Sequence, residues 1–285
     1  MSAKLESQPE PRKRGHVIGI PIDAISWAGA QRLLMAWATA HESRYVCICN
    51  VHSVVSATQD ATFRQVVEHA DLATPDGAPV AWTLRRKGFV DQPRINGPDL
   101  MWRLCADAEA QGVSVGLFGS SPETLSLLTA ALSAAFPALQ IRYCVSPPFR
   151  RLSVEEDETI CRDINASGVG LLFVGLGCPK QEAWIAAHRG RVQAVMLGVG
   201  AAFDYHAGTI SRAPGWMRSS GLEWLHRLCS EPRRLWRRYL GTNSLFIAKT
   251  AADFLAGGFE ANKRSSEFSL SSKWPESGHR HKHNK

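Results

Sequence analysis

The stretch Leu171-Leu-Phe-Val-Gly-Leu-Gly-Cys-Pro-Lys-Gln-Glu-Ala-Trp-Ile185 decides how this chain is read. An uninterrupted apolar run meets Gly175-Leu-Gly177, then Pro179, then a helix-forming segment. A short apolar run closed by glycines predicts a strand buried on both faces, as in a parallel sheet. The glycines permit a sharp turn and the close approach of a ligand. Pro179 suits the first turn of a helix, where its missing N–H costs nothing. Lys180, Gln181 and Glu182 are therefore expected in that turn, at the carboxyl end of a strand. Open α/β sheets bind ligands there, and free N–H groups at such a helix start attract phosphate. The plain alternative is an ordinary strand-to-helix turn with surface polars.

Outward from this stretch the same alternation repeats. Val17–Ile22, Tyr45–Cys49, Val113–Phe118, Leu139–Cys144 and Ala194–Val199 read as strands, and Leu72–Gly77 as a strand running into a turn. Helical spacing is expected from an Asp23 cap to Thr39, over Ala57–Ala70, Val80–Arg86 and Asp99–Gln111, up to Phe136, and over Glu155–Ala166. Strand and helix alternating from Val17 to Asp204 predicts an α/β fold, a mostly parallel sheet with helices on both faces. Polar or flexible residues recur at strand ends: Asn50, Asp76, Gly119 with Ser120, and Asp204. Gly175-x-Gly177 and Gly198-x-Gly200 both lack the third glycine of a GxGxxG fingerprint, and there is no GxxxxGK(S/T). A dinucleotide site is thus poorly supported and a P-loop is excluded.

The remainder differs in character. Ser211–Trp216 is loop-like, Met217–Ser230 amphipathic, and Pro232–Leu240 a helix opened by proline. Arg233/Arg237 and Arg234/Arg238 are like-charge pairs four residues apart, each costing a few tenths of a kcal/mol in an isolated helix. An anion among them would offset that; arginines lying along a packed helix are the alternative. Asn243–Phe259 is apolar but broken by Lys249 and Asp253, which suits an interfacial helix. The expected organisation is a disordered arm (1–14), an α/β core (15–208), a helical appendage (209–260) and a disordered tail (261–285). The net charge of +7 matters less than its crowding between Arg212 and Arg238. That patch points to a phosphate-rich partner: lipid head groups, a diphosphate or nucleic acid. Seven cysteines without CxxC spacing read as reduced core residues. No apolar run reaches the roughly 18 residues of a membrane span, and no signal-peptide pattern is visible.

Chemistry is expected at the carboxylates of Asp76 and Asp204, on strand ends, and Asp99, opening a helix. A sugar transferase needs a carboxylate to deprotonate the acceptor and donors to hold the leaving diphosphate. The chain has no Asp-x-Asp, so arginines and helix N-termini would carry the negative charge. Asp204-x-His206 supplies only two metal ligands. Neither a metal nor another cofactor is expected. A rival reading is a nucleic-acid-binding protein using the basic aromatic helix, disfavoured because the charge is confined to one segment.

Several motifs in order carry a resemblance: Asn50; Pro75-Asp-Gly77; Arg94-Ile-Asn-Gly-Pro-Asp-Leu100; Gly175-Leu-Gly-Cys-Pro-Lys-Gln-Glu182; Gly198-Val-Gly-Ala-Ala-Phe-Asp204; Arg212-Ala-Pro-Gly-Trp-Met217; Gly221-Leu-Glu-Trp224; Arg227-Leu228; and Glu231-Pro-Arg-Arg-Leu-Trp-Arg-Arg-Tyr239. From Val17 to Tyr239 the chain resembles the WecG/TagA/CpsF glycosyltransferases. The resemblance implies a Rossmann-like core with a helical C-terminal appendage that docks on the membrane. It implies an inverting, metal-independent transfer of N-acetylmannosamine, its uronic acid or glucose from a UDP-sugar to a polyprenyl-diphosphate-linked saccharide, in cell-surface polysaccharide synthesis. The setting implied is cytoplasmic, peripheral on an anionic inner membrane face, without nucleic acid and with room for self-association. Asp76 matches the family's base, Arg94 and Gln181 its substrate-binding residues. Asn50, Gly175, Gly177, Lys180, Glu182 and Asp204 of the surrounding motifs, with Gly119 and Ser120 of the glycine-serine turn, are also expected to bind substrate. The arginines that the family assigns to the lipid diphosphate fall among Arg227, Arg233, Arg234, Arg237 and Arg238. Ile48 stands where family members often carry threonine, so that hydroxyl contact is lost.

Overall fold

The structure is a computed structural model describing residues 12–256, without the side chains of Ser219, Arg234, Arg237 and Arg238. The expected tail at 261–285 and most of the expected arm lie outside the described residues. In chain order the elements are β1 (Arg14–Val17), β2 (Ile20–Asp23), α1 (Trp27–Thr39), β3 (Arg44–Cys49), α2 (Val51–Gln59), α3 (Ala61–Glu68), β4 (Leu72–Pro75), α4 (Ala78–Arg86), α5 (Gly97–Gln111), β5 (Val115–Gly119) and α6 (Pro122–Ala135). There follow β6 (Ile141–Val145), α7 (Val154–Ser167), β7 (Leu171–Gly175), α8 (Lys180–Ala187), β8 (Val195–Gly198), α9 (Ala202–Ala207), α10 (Gly215–Ser219), α11 (Glu223–Ser230) and α12 (Pro232–Leu255).

Six strands form one sheet in the order β4-β3-β8-β7-β5-β6, and every neighbouring pair is parallel. Side chains alternate across a strand, so each strand feeds two cores. Leu172, Val174 and Met196 join one buried cluster with Val54, Val67, Leu84 and Ile185 from α2, α3, α4 and α8. Leu171, Phe173 and Leu197 join another with Leu34, Leu104, Leu128 and Phe203 from α1, α5, α6 and α9. The continuous apolar run at 171–174 is thereby explained: both faces of β7 are covered. The chain leaves β3 into α2 on one face and leaves β8 into α9 on the other. These neighbouring strands therefore diverge at their carboxyl ends and open a crevice between them.

Several expectations are corrected. The segment expected as one strand at Val17–Ile22 is a hairpin, β1 and β2 antiparallel, turning at Ile18 and Gly19, both with positive φ. Asp23 does not cap α1; Ser26 does, accepting from the Gly29 N–H. Asp23 is instead buried, accepting from Arg12, from Arg14 and from the Ala73 N–H. Residues 12–14, placed in the disordered arm, are held by these bonds. The helix expected over Ala57–Ala70 is two, because Asp60 ends α2 and its carboxylate caps α3 through the Thr62 and Phe63 N–H groups. Met217–Ser230 likewise divides into α10 and α11 around Gly221, where φ is +74°.

Candidate active site

The carboxyl rim of the sheet borders a cleft of about 1090 Å³. Asn50 follows β3 and caps α2 by accepting from the Ser53 N–H. Asp76 follows β4, and its own N–H donates to Cys49 O at 2.9 Å, stitching the two strand ends together. The Ile95 N–H donates to Pro75 O at 2.9 Å, which brings the Arg94 loop across the end of β4. Asn96 then caps α5. From the other half come Ser120, Gly175, Gly177, Gly198 and Gly200. At Gly119, φ is +120° and a Cβ would sit 2.6 Å from the Gly175 carbonyl carbon. Only glycine allows the ends of β5 and β7 to meet there.

Arg94 lies at the centre of the polar groups. Its Nε donates to Asp76 Oδ1 at 3.2 Å, and its Nη2 to Glu223 Oε2 of α11. Glu223 is also 3.4 Å from Arg212 Nε, and Arg212 donates to Asp99 at 2.6 Å and to Asn96 at 3.2 Å. Acids and guanidinium groups thus alternate from the core into the appendage. Burial raises the Asp76 carboxyl above its ordinary range; Arg94 pulls it down and Glu223 pushes it up. Its side chain keeps 18 % exposure, enough to meet a ligand. Burial weighs against the charge of Arg94, but Asp76 and Glu223 hold that charge firmly in place. Asp99 is half-buried, and Arg212 and Asn96 keep its carboxyl below the usual range.

Gln181 and Glu182 sit in the first turn of α8, as expected, and both are buried. The Gln181 carbonyl accepts from the Gly177 N–H at 3.2 Å, and its amide nitrogen donates to Glu182 Oε1 at 2.9 Å. Burial raises the Glu182 carboxyl. Lys180 in the same turn is exposed and outside the cleft lining.

Of the expected site residues, the cleft brings together Asn50, Asp76, Arg94, Ser120, Gly175, Gly177, Gln181, Glu182, Asp204 and Arg227. Gly119 shapes the rim from behind. Arg233 is exposed on α12 and does not line the cleft. The side chains of Arg234, Arg237 and Arg238 lie outside the described residues. Ile48 lines the cleft as an apolar patch. Glu223 and Arg212 were given no role by sequence reasoning, although both lie in quoted motifs. Their part depends on how α10 and α11 fold back over the core, which no local pattern encodes.

Asp204 and His206 do not pair. Asp204 lines the cleft, whereas His206 stacks on Trp102 with ring centroids 4.7 Å apart and its Nε2 lies 2.9 Å from Pro98 O. Among the described residues, Asp157, Cys161 and His188 could meet around an ion. That carboxylate is already taken, by His188 Nε2 at 2.9 Å and Arg191 Nη1 at 2.8 Å, and none of the three lines the cleft. None of the seven cysteines is in a disulfide. No described helix is long and apolar enough to cross a membrane.

A family model described as glycosyl transferase WecG/TagA/CpsF matches residues 15–258. The chain is also similar to a curated protein of Bacillus spizizenii, an N-acetylglucosaminyldiphosphoundecaprenol N-acetyl-beta-D-mannosaminyltransferase. The two are 29 % identical over 201 residues, covering 70 % of this chain and 76 % of the relative.

Proposed function

The chain belongs to the WecG/TagA/CpsF glycosyltransferase family, and from that premise we propose that it transfers N-acetylmannosamine from a UDP-sugar to an N-acetylglucosaminyl-diphosphate-polyprenol. The carrying observation is the Asp76–Arg94–Glu223 array, a raised carboxylate held at a strand end inside the cleft. Asp76 takes the proton of the acceptor hydroxyl. The freed oxygen attacks the anomeric carbon, the bond to the UDP oxygen breaks, and the configuration inverts. A carboxylate raised toward neutral pH suits this role. Arg94 fixes the orientation of Asp76. Gln181, its amide locked by Gly177 and Glu182, orients a sugar hydroxyl, and Asn50 and Asp204 bound the same space. Arg227, on α11 and in the cleft lining, meets a diphosphate; Arg233, Arg234, Arg237 and Arg238 of the sequence that follows add positive charge. These guanidinium groups take the place of a divalent ion, and no cofactor enters the reaction. The protein works peripherally on the cytoplasmic face of the membrane, seated by the appendage. The nucleic-acid reading has no comparable support, because one face of the basic helix lines the cleft.

The test is transfer from UDP-N-acetylmannosamine, its uronic acid and UDP-glucose to a soluble N-acetylglucosaminyl diphosphate lipid, with and without EDTA. The expected result is turnover with the first donor, inverted product and no loss on chelation. Strict dependence on manganese, or no transfer from any of these donors, would overturn the reading.

A further inference from the structure

The cleft does not end at the reacting groups. One face of α12 lines it over more than four turns, at the i, i+3, i+4 spacing of a single helical stripe. At the amino end that face is polar: Tyr239, Thr242 and Asn243. Further along it becomes apolar, with Phe246, Ile247, Ala251 and Phe254 interrupted by Thr250. Helix α4 forms the opposite wall with Pro79 and Trp82, and Val51 of α2 adds to the lining. Trp82 meets Phe254 edge to face at 5.7 Å, yet Trp82 stays 44 % exposed and Ile247 66 % exposed.

The direction of this groove is fixed by contacts at both ends. Near the reaction centre, Tyr239 packs on Trp224 of α11, beside Glu223. Gly221 lies so close to Ala78, at the start of α4, that a Cβ would come within 2.7 Å of the Ala78 Cβ. At the far end Lys87, just past α4, pairs with Asp253. Helices α4 and α12 therefore run outward together from the Asp76 region. At 1.5 Å per residue, Tyr239 to Phe254 spans roughly 22 Å.

We propose that this groove between α4 and α12 binds the first isoprene units of the acceptor lipid. The inference rests on the glycosyl-transfer reading, and gives it a subsite that the reaction chemistry does not require. A saccharide hydroxyl at Asp76 places the diphosphate beyond it, toward Arg227, and the hydrocarbon must leave from there. The lining changes from polar to apolar along the same path. An open apolar trough continuous with a charged site fits a ligand with that same gradient.

The experiment compares two soluble acceptors, N-acetylglucosaminyl diphosphates carrying a methyl or a farnesyl group, below their aggregation limits and without vesicles. In the wild-type chain KM should be at least about tenfold lower for the farnesyl acceptor, as burial of several CH₂ groups implies, with similar kcat. Ile247→Asp, at an exposed position, should collapse that ratio within one and the same preparation. Equal KM values in the wild-type chain would overturn the groove, as would an undiminished ratio in I247D. No transfer to either acceptor would overturn the acceptor reading itself, and the groove with it.

Discussion

Leu172 and Phe173 point to opposite sides of the sheet and both are fully enclosed, whereas no residue of α11 is buried and α12 shows Leu240 and Leu255 at 64 and 89 % exposure. The same division appears at the helix ends. Six of the nine helices α1–α9 are capped by side chains, those of Ser26, Asn50, Asp60, Asn96, Ser121 and Ser153, while α4, α8 and α9 are not; none of α10, α11 and α12 has such a bond. The appendage is tied down by ion pairs, Glu223 to Arg94, Arg212 to Asp99 and Asp253 to Lys87, and by buried apolar side chains, Ala213, Leu235 and Phe246 among them. The core is held by burial and local capping. The appendage spends its apolar surface elsewhere, on the cleft and on solvent, and lends the Asp76 site one carboxylate, Glu223.

Four substitutions would break or sharpen that contrast. The largest effect belongs to the core's reacting group: Asp76→Asn should lower turnover by about 10²–10⁴-fold while leaving the melting temperature near that of the wild type. Near-normal turnover would move the chemistry away from the sheet rim. Next, Phe173→Ala should cost about 3–5 kcal/mol in denaturant unfolding, the usual toll of emptying a closed core site; a loss below about 1 kcal/mol would contradict the sealed core.

Glu223→Gln tests the loan across the boundary. Glu223 raises the Asp76 carboxyl, so removing its charge should let that carboxyl fall toward its ordinary value. The acid limb of log kcat/KM against pH should then shift to lower pH. Turnover at neutral pH should drop by about three- to tenfold, since a weaker base transfers the proton less readily. A limb that stays put or moves upward would show that the appendage does not tune the base. The smallest effect on folding is expected for Leu240→Ser, within about 0.5 kcal/mol. Flotation with anionic vesicles should nevertheless weaken about fivefold or more, as loss of a membrane-buried leucine implies. Unchanged flotation would remove Leu240 from the docking surface.

What the sequence disclosed follows the same boundary. Buried parallel strands write themselves as apolar runs, so β3, β5, β7 and β8 could be placed within a residue or two. Asp76 was legible because Asp-Gly after an apolar run marks a turn at a strand end. Asp23 misled, since a carboxylate before an amphipathic stretch looks like a cap; its actual partners, Arg12, Arg14 and the Ala73 N–H, are assembled only by the tertiary fold. Glu223 was silent for the same reason: its ion pair to Arg94 spans 129 positions of sequence. The groove along α12 was half visible, as an apolar segment broken by Lys249 and Asp253. Those two residues looked like interruptions, yet they bond Thr58 and Lys87 on the flanks.

Because all six strands of the main sheet run the same way, every turn of the candidate site lies on one rim. The opposite rim is made of the segments that enter β3, β5, β7 and β8, around Ser43, Gly112, Gly168 and Gly190. Gly190 has φ +85° and open space where a side chain would project. Insertions are best tolerated at exposed turns of this kind. A reporter inserted beside Gly190, with the glycine itself kept because its positive φ strains any other residue, would sit on the rim opposite the cleft and let transfer be watched without blocking the site.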